Sequence, residues 1–183
     1  MTVMSAAQTL GEESGWRLTP LEYQKTLYIA QMLHLGATGS QLFREEFEAW
    51  DLGPVVPYLY RSFRHLGRTP VPAGTWGKPF EWGTAEAFSI SDAFVLTRHL
   101  TPSQLVNLTH REGGAWSEFY QPGGANSTIP AAAIVREWQE FMAPSQEALY
   151  WAHGMADRFE ESPARLLDDQ NERAFRARLF GAN

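Results

Sequence analysis

The run from Thr19 to Gly36 limits the fold more than any other part of the chain. Thr19-Pro20-Leu21-Glu22 has the form of a capping box with proline at the first helical position. The helix it opens carries two apolar stripes. Leu21, Tyr28, Met32 and Leu35 recur at offsets of 0, 7, 11 and 14, and Tyr23, Leu27, Ala30 and His34 make a second stripe. Two stripes give an apolar face too wide for a surface helix, so this helix is buried over much of its circumference. Gly36 is expected to end it. Lys25 lies on the flank of the first stripe. It reads as a snorkelling side chain, or as one half of a buried pair with Glu46, Glu48 or Asp51.

The other periodicities are also helical. Val55, Val56, Leu59, Tyr60, Phe63 and Leu66 fall at offsets of 0, 1, 4, 5, 8 and 11. They follow Gly53-Pro54, which reads as a bend that launches a helix with Pro54 or Pro57 in its first turn. Trp50 is expected beneath that bend, and Tyr58 is expected off the apolar stripe and exposed. A short strand or helical turn is open for Leu42–Trp50. Ser91 reads as a cap for a helix to Leu100, Thr101-Pro102-Ser103-Gln104 as a second capping box, and Pro130 as the start of an amphipathic helix. Ser145 and Ser162-Pro163 begin two further helices, read as an αα-hairpin. Residues 1–15 read as a frayed tail. Residues 67–86 are irregular yet carry Trp76, Phe80 and Trp82, and loops of that length are usually functional or mobile. The fold class is therefore mainly α: a compact domain of six to seven helices with at most a small β-hairpin, followed by a helical extension.

Composition narrows the function. A chain of 183 residues can bury about 70% of its unfolded surface in one domain. It has no cysteine, so disulfides, thiolate zinc sites and cysteine catalysis are out. Its net charge of -6 opposes phosphate neutralisation, which makes a nucleic-acid partner unlikely and a basic protein partner suitable. Arg61, Arg64, His65 and Arg68 form a cationic cluster, which a helix C-terminus would favour. There is neither a basic-then-apolar leader nor a run of 18 apolar residues, so no signal peptide and no membrane span are expected. Seven Trp is a high count, and tryptophan serves both cores and interfaces.

Catalytic spacing is scarce. Thr109-His110-Arg111-Glu112 offers an imidazole near a carboxylate, so a small hydrolase or transferase centred on His110 and Glu112 stays open. No nucleophile or oxyanion donor is apparent beside it. His34, His65, His99, His110 and His153 contain no pair three to five apart, so no helical metal pair exists and no cofactor is implied.

Three blocks, in order, resemble a known family. These are Leu21 to Ala30 with Lys25 and Tyr28 three apart, Phe47 to Tyr60 with Ala49-Trp50 and Gly53-Pro54-Val55, and Leu105 to Trp116 with Leu108-Thr109-His110. Together they resemble the Panacea domain, also called SocA-like, over roughly residues 17–142. The resemblance implies a helical, cytoplasmic, phage-associated antitoxin, which neutralises a cognate protein toxin by binding it and is not an enzyme. Many such toxins stop translation or growth. It divides the chain into a tail (1–15), a domain (16–142) and an extension (143–183). Lys25, Tyr28, Trp50, Gly53, Pro54 and Val55 become scaffold. Tyr58, Arg61, Trp76, Trp82, His110 and Trp116 become candidates for toxin contact. The 67–86 loop and the extension are the segments expected to fit a shared scaffold to one toxin. An adaptor without a toxin, and a homodimer, stay open.

Overall fold

The computed structural model describes residues 1–142. The expected αα-hairpin over 143–183 lies outside the described residues. Among those described, seven α-helices surround one small sheet. They are α1 (Val3–Ser14), α2 (Pro20–Thr38), α3 (Pro57–Phe63), α4 (Ala85–Thr97), α5 (Pro102–Thr109), α6 (Ala115–Phe119) and α7 (Ala131–Met142). The strands are β1 (Phe47–Trp50), β2 (Gly53–Val55) and β3 (Ser127–Ile129). The mainly α class is as the sequence implies.

Helix α2 is the axle. Every residue from Tyr23 to Leu35 is buried, and α1, α3, α4, α5, α7 and β2 all pack against it. The capping box forms as its sequence requires, with Thr19 accepting from the Glu22 amide and Glu22 accepting from that of Thr19. The polar residues on so buried a helix need partners. Gln24 brackets Val56, accepting from its amide at 2.9 Å and donating to its carbonyl at 3.3 Å. Gln31 accepts from the Leu42 amide at 3.0 Å. Thr26 meets Thr97, and His34 meets Ser89, each at 3.0 Å. These bonds tie α2 to the start of α3, to the chain before β1 and, twice, to α4.

Several boundaries differ from the sequence reading. Residues 3–14 are a core helix and not a frayed tail. Thr2 caps α1, Gly15 ends it at φ 62°, and Val3, Ala6, Ala7 and Leu10 are fully buried. Their offsets of 0, 3, 4 and 7 are helical, but alanines supply half the face. Small side chains let α1 lie close to its neighbours. Helix α2 runs through Gly36 and ends at Gly39, which takes the left-handed conformation at φ 70°. Gly36 is there for space: a Cβ on it would sit 2.1 Å from the Trp138 ring. Helix α4 starts at Ala85 behind a Thr84 cap, well before Ser91.

The bend at Gly53-Pro54 is a strand. Glu48 pairs with Val55, Ala49 with Pro54 and Trp50 with Gly53, all antiparallel, and α3 begins only at Pro57. Pro54 is tolerated because β2 is an edge strand. The other edge is β3, paired with β1 from Phe47↔Ile129 to Ala49↔Ser127, so the expected hairpin gains a third strand. The long segment between Leu66 and Thr84 is tied down by α1. Trp76 donates its amide to Gln8 at 2.8 Å, Phe80 donates to Thr9 at 2.8 Å, and the Trp76 ring stands edge-on to Phe63.

If α1 belongs to the core, Leu10→Ala lowers unfolding free energy by about 2–5 kcal/mol in urea titration. A change inside about 0.5 kcal/mol would return the segment to a loose tail.

Candidate functional site

The three sequence blocks meet at Gly53. Lys25 reaches up from α2 and donates its amine to the Pro54 carbonyl at 3.0 Å. It neither snorkels nor pairs with a carboxylate. Its residual exposure is 1%, and the ion pairs among the described residues are Arg44–Glu45 and Arg136–Glu118. Burial pushes its pKa down to about 7. Thr109, on the last turn of α5, and His110, which caps that helix, arrive from the other side. A Cβ on Gly53 would lie 2.6 Å from the Lys25 amine, 2.8 Å from the Thr109 hydroxyl and 3.1 Å from His110 Nε2. The φ of 97° at Gly53 is equally closed to a side chain. Gly53 is therefore fixed by both space and backbone.

His110 begins a ladder of rings. It stacks on Trp116 with centroids 3.7 Å apart and planes 8° from parallel, and Trp116 stacks on Tyr120 at 4.5 Å. The Trp116 indole donates to the Trp50 carbonyl at 2.8 Å, and the Tyr120 hydroxyl donates to Asp51 at 3.0 Å. Burial, then the nearby Lys25 charge, lower the His110 pKa against an opposing pull from the Leu52 backbone. Its Nε2 is buried with no hydrogen-bond partner. The pairing needed for a His110–Glu112 reaction centre is not made: no hydrogen bond joins the two. Glu112 is exposed and lines a shallow recess with Arg111, Gly113, Gly114 and Glu140.

A second buried node sits one turn further along α2. The Tyr28 hydroxyl donates to Glu137 on α7, and the Ala115 amide donates to the same oxygen at 3.0 Å. Glu137 is 3% exposed, and burial raises its pKa against the pull of these donors. A Cβ on Gly114 would meet Glu137 at 2.9 Å. Glu137 is not among the candidate residues named from the sequence. The signal was there, because it shares the apolar face of Ile134 and Trp138 at offsets of 3 and 4 from Ile134.

The candidate contact residues do not form one surface. Tyr58 and Arg61 are exposed on α3, as expected, and Trp82 is exposed ahead of α4. Trp76 is half-buried on Phe63, while His110 and Trp116 belong to the interior ladder. Trp50 is half-buried rather than beneath the turn. Its ring stands 4.8 Å from Tyr60, its indole donates to Glu48, and Trp116 is the ring that supports the turn. Leu52 and Tyr60, both exposed, were not singled out from the sequence.

The family model described as "Antitoxin SocA-like, Panacea domain" matches residues 23–117. The chain belongs to that family. The match takes in the first block from Tyr23, the whole of the other two, and both ends of the Lys25–Gly53–His110 contact. This Panacea chain is also similar to Antitoxin SocA of Caulobacter vibrioides (strain NA1000 / CB15N), at 26% identity over 156 residues, covering 80% of this chain and 83% of the relative. No solved structure matches.

The depressed Lys25 pKa has a measurable sign. Between about pH 7 and its ordinary value of 10.5, the unfolded chain holds a proton that the folded chain has released. Stability therefore rises with pH through that window, by up to about 1.4 kcal/mol per unit. In urea titrations at pH 7.5, 8.5 and 9.5, Lys25→Met removes that rise. A slope that survives the substitution would assign it to another group.

Proposed function

We propose that this chain is the antitoxin of a toxin–antitoxin pair and neutralises a cognate protein toxin by direct contact. The observation that carries the reading is the family match over the three blocks. The geometry supports contact over chemistry. Lys25, Tyr28, Gly53, His110 and Trp116 are engaged in holding a hairpin and a helix in place, and the exposed large apolar residues among those described are others: Met1, Leu52, Tyr58, Tyr60 and Trp82. Exposed aromatics are the side chains that anchor protein interfaces. Among the described residues, no helix is long and apolar enough to cross a membrane. The reading places the protein in the bacterial cytoplasm, facing a toxin that arrests translation or growth. It also gives residues 16–142, with α1 packed into their core, the role of shared scaffold, and the 67–86 loop and residues 143–183 the role of matching it to one toxin.

The test is rescue with a physical readout. Small reading frames from the source genome are induced singly, and those that arrest growth are induced again with this chain. One lethal frame is expected to be rescued, and its product is expected to co-elute with this chain from a sizing column. Rescue without co-elution would overturn direct contact, and the absence of any rescued frame would overturn the antitoxin reading itself.

A further inference from the structure

The tip of the β1–β2 hairpin is exposed yet held by side chains from outside the hairpin. Three side chains, one from α2 and two from α6 and its C-terminal cap, hold it: Lys25 binds the Pro54 carbonyl, Trp116 binds the Trp50 carbonyl, and Tyr120 binds the Asp51 carboxylate. At the apex stands Leu52, 59% exposed, in a turn where small polar residues are the norm. Trp50 and Tyr60 extend the apolar surface from it, with their rings in edge-to-face contact. The tip is also negatively charged. Glu48 and Asp51 flank it, and among the described residues neither forms an ion pair. Of the two bases beneath, Lys25 gives its amine to the Pro54 carbonyl and His110 lies stacked on Trp116, and neither forms an ion pair with the carboxylates.

We infer that this tip, with Leu52 as its knob and Trp50 and Tyr60 as its apolar flank, is the surface that seats on the cognate toxin. The toxin then offers it an apolar socket with a cationic rim. The inference rests on the antitoxin reading above. A pre-braced knob loses little freedom on docking, which favours affinity. Uncompensated acids beside it select a basic partner and speed the encounter. A second exposed surface, the cationic stripe of Arg61 and Arg64, has the opposite charge and would suit an anionic partner.

The probe is the toxin whose lethality this chain rescues. Leu52→Asp puts a turn-forming residue at the apex, so thermal unfolding should match the wild type. It is expected to weaken toxin binding by about 30-fold or more in calorimetry and to abolish rescue. Arg61→Glu with Arg64→Glu is expected to leave affinity within about threefold. Glu48→Gln with Asp51→Asn keeps the acceptors for Trp50 and Tyr120 but removes the charge. That pair is expected to slow association and flatten its dependence on salt. Wild-type affinity in Leu52→Asp overturns the docking site, as does a loss that follows the arginine variants instead. So does a Leu52→Asp effect confined to self-association, seen as a change of mass by light scattering with toxin binding intact. A salt dependence unchanged by the carboxylate variants overturns the cationic rim. If the wild-type chain itself neither rescues nor binds, the antitoxin reading fails first, and that outcome is distinct from all of these.

Discussion

One hydrogen bond sets the geometry of this protein: the amine of Lys25, at the heart of the central helix, on the carbonyl of Pro54. A lysine taken out of water without a carboxylate partner is costly, and the cost falls if it sheds its proton. The contact also demands that nothing stand between α2 and the hairpin. Gly53 meets that demand with a bare Cα, and Thr109 and His110 close the remaining space from α5. Residues 25, 53 and 109–110 are thus tied by one packing requirement, although dozens of residues separate them in the chain. The same requirement brings three separated blocks of the sequence to one point in space.

The rest of the structure extends the same device along α2. A helix buried all round cannot use solvent to satisfy its polar side chains, and all of them but the Tyr23 hydroxyl take a specific partner. Gln24 imitates a neighbouring strand by giving and taking one hydrogen bond with Val56. Gln31 holds the chain at Leu42, just before β1. Tyr28 reaches Glu137, and through it the first turn of α6. Apolar burial drives the collapse around α2, and these bonds choose which segment sits where, because a mispaired arrangement would leave a buried donor or acceptor unmet.

This division explains what the sequence revealed. Local chemistry was legible: the capping boxes at Thr19 and Thr101 form as written, and the two stripes on α2 correctly announced a helix buried on most sides. Glycine was misread where its reason is spatial. Gly36 looks like a stop signal, yet it lies inside a helix because Trp138 needs its surface. Gly53-Pro54 looks like a bend, yet pairing with β1 makes it a strand. β3 was invisible because three residues carry no period, and α1 was missed because alanines supply half its buried face. At the site, the family blocks pointed to the right place and the role of single residues did not follow. His110 beside Glu112 suggests chemistry along the chain, whereas in space its ring lies against Trp116. Glu137, beyond the matched segment, becomes visible only when α7 is laid against α2.

The way the hairpin is braced bears on how one scaffold can meet different partners. Lys25 and Trp116 both grip main-chain carbonyls, at Pro54 and Trp50. Main-chain atoms are present whatever the side chain, so the support for the tip is largely independent of the residues displayed at positions 50 to 52. The conditions that cannot be relaxed, a buried amine, a bare glycine and a stacked imidazole, lie beneath the tip and face inward. Those that can be relaxed face outward. Leu52 stands exposed, and the side chains on the tip are read by the Tyr120–Asp51 bond and by the contact of Trp50 with Tyr60. A fold that separates its supports from its display in this manner can change what it presents without changing how it stands, which is the property a shared antitoxin scaffold would need.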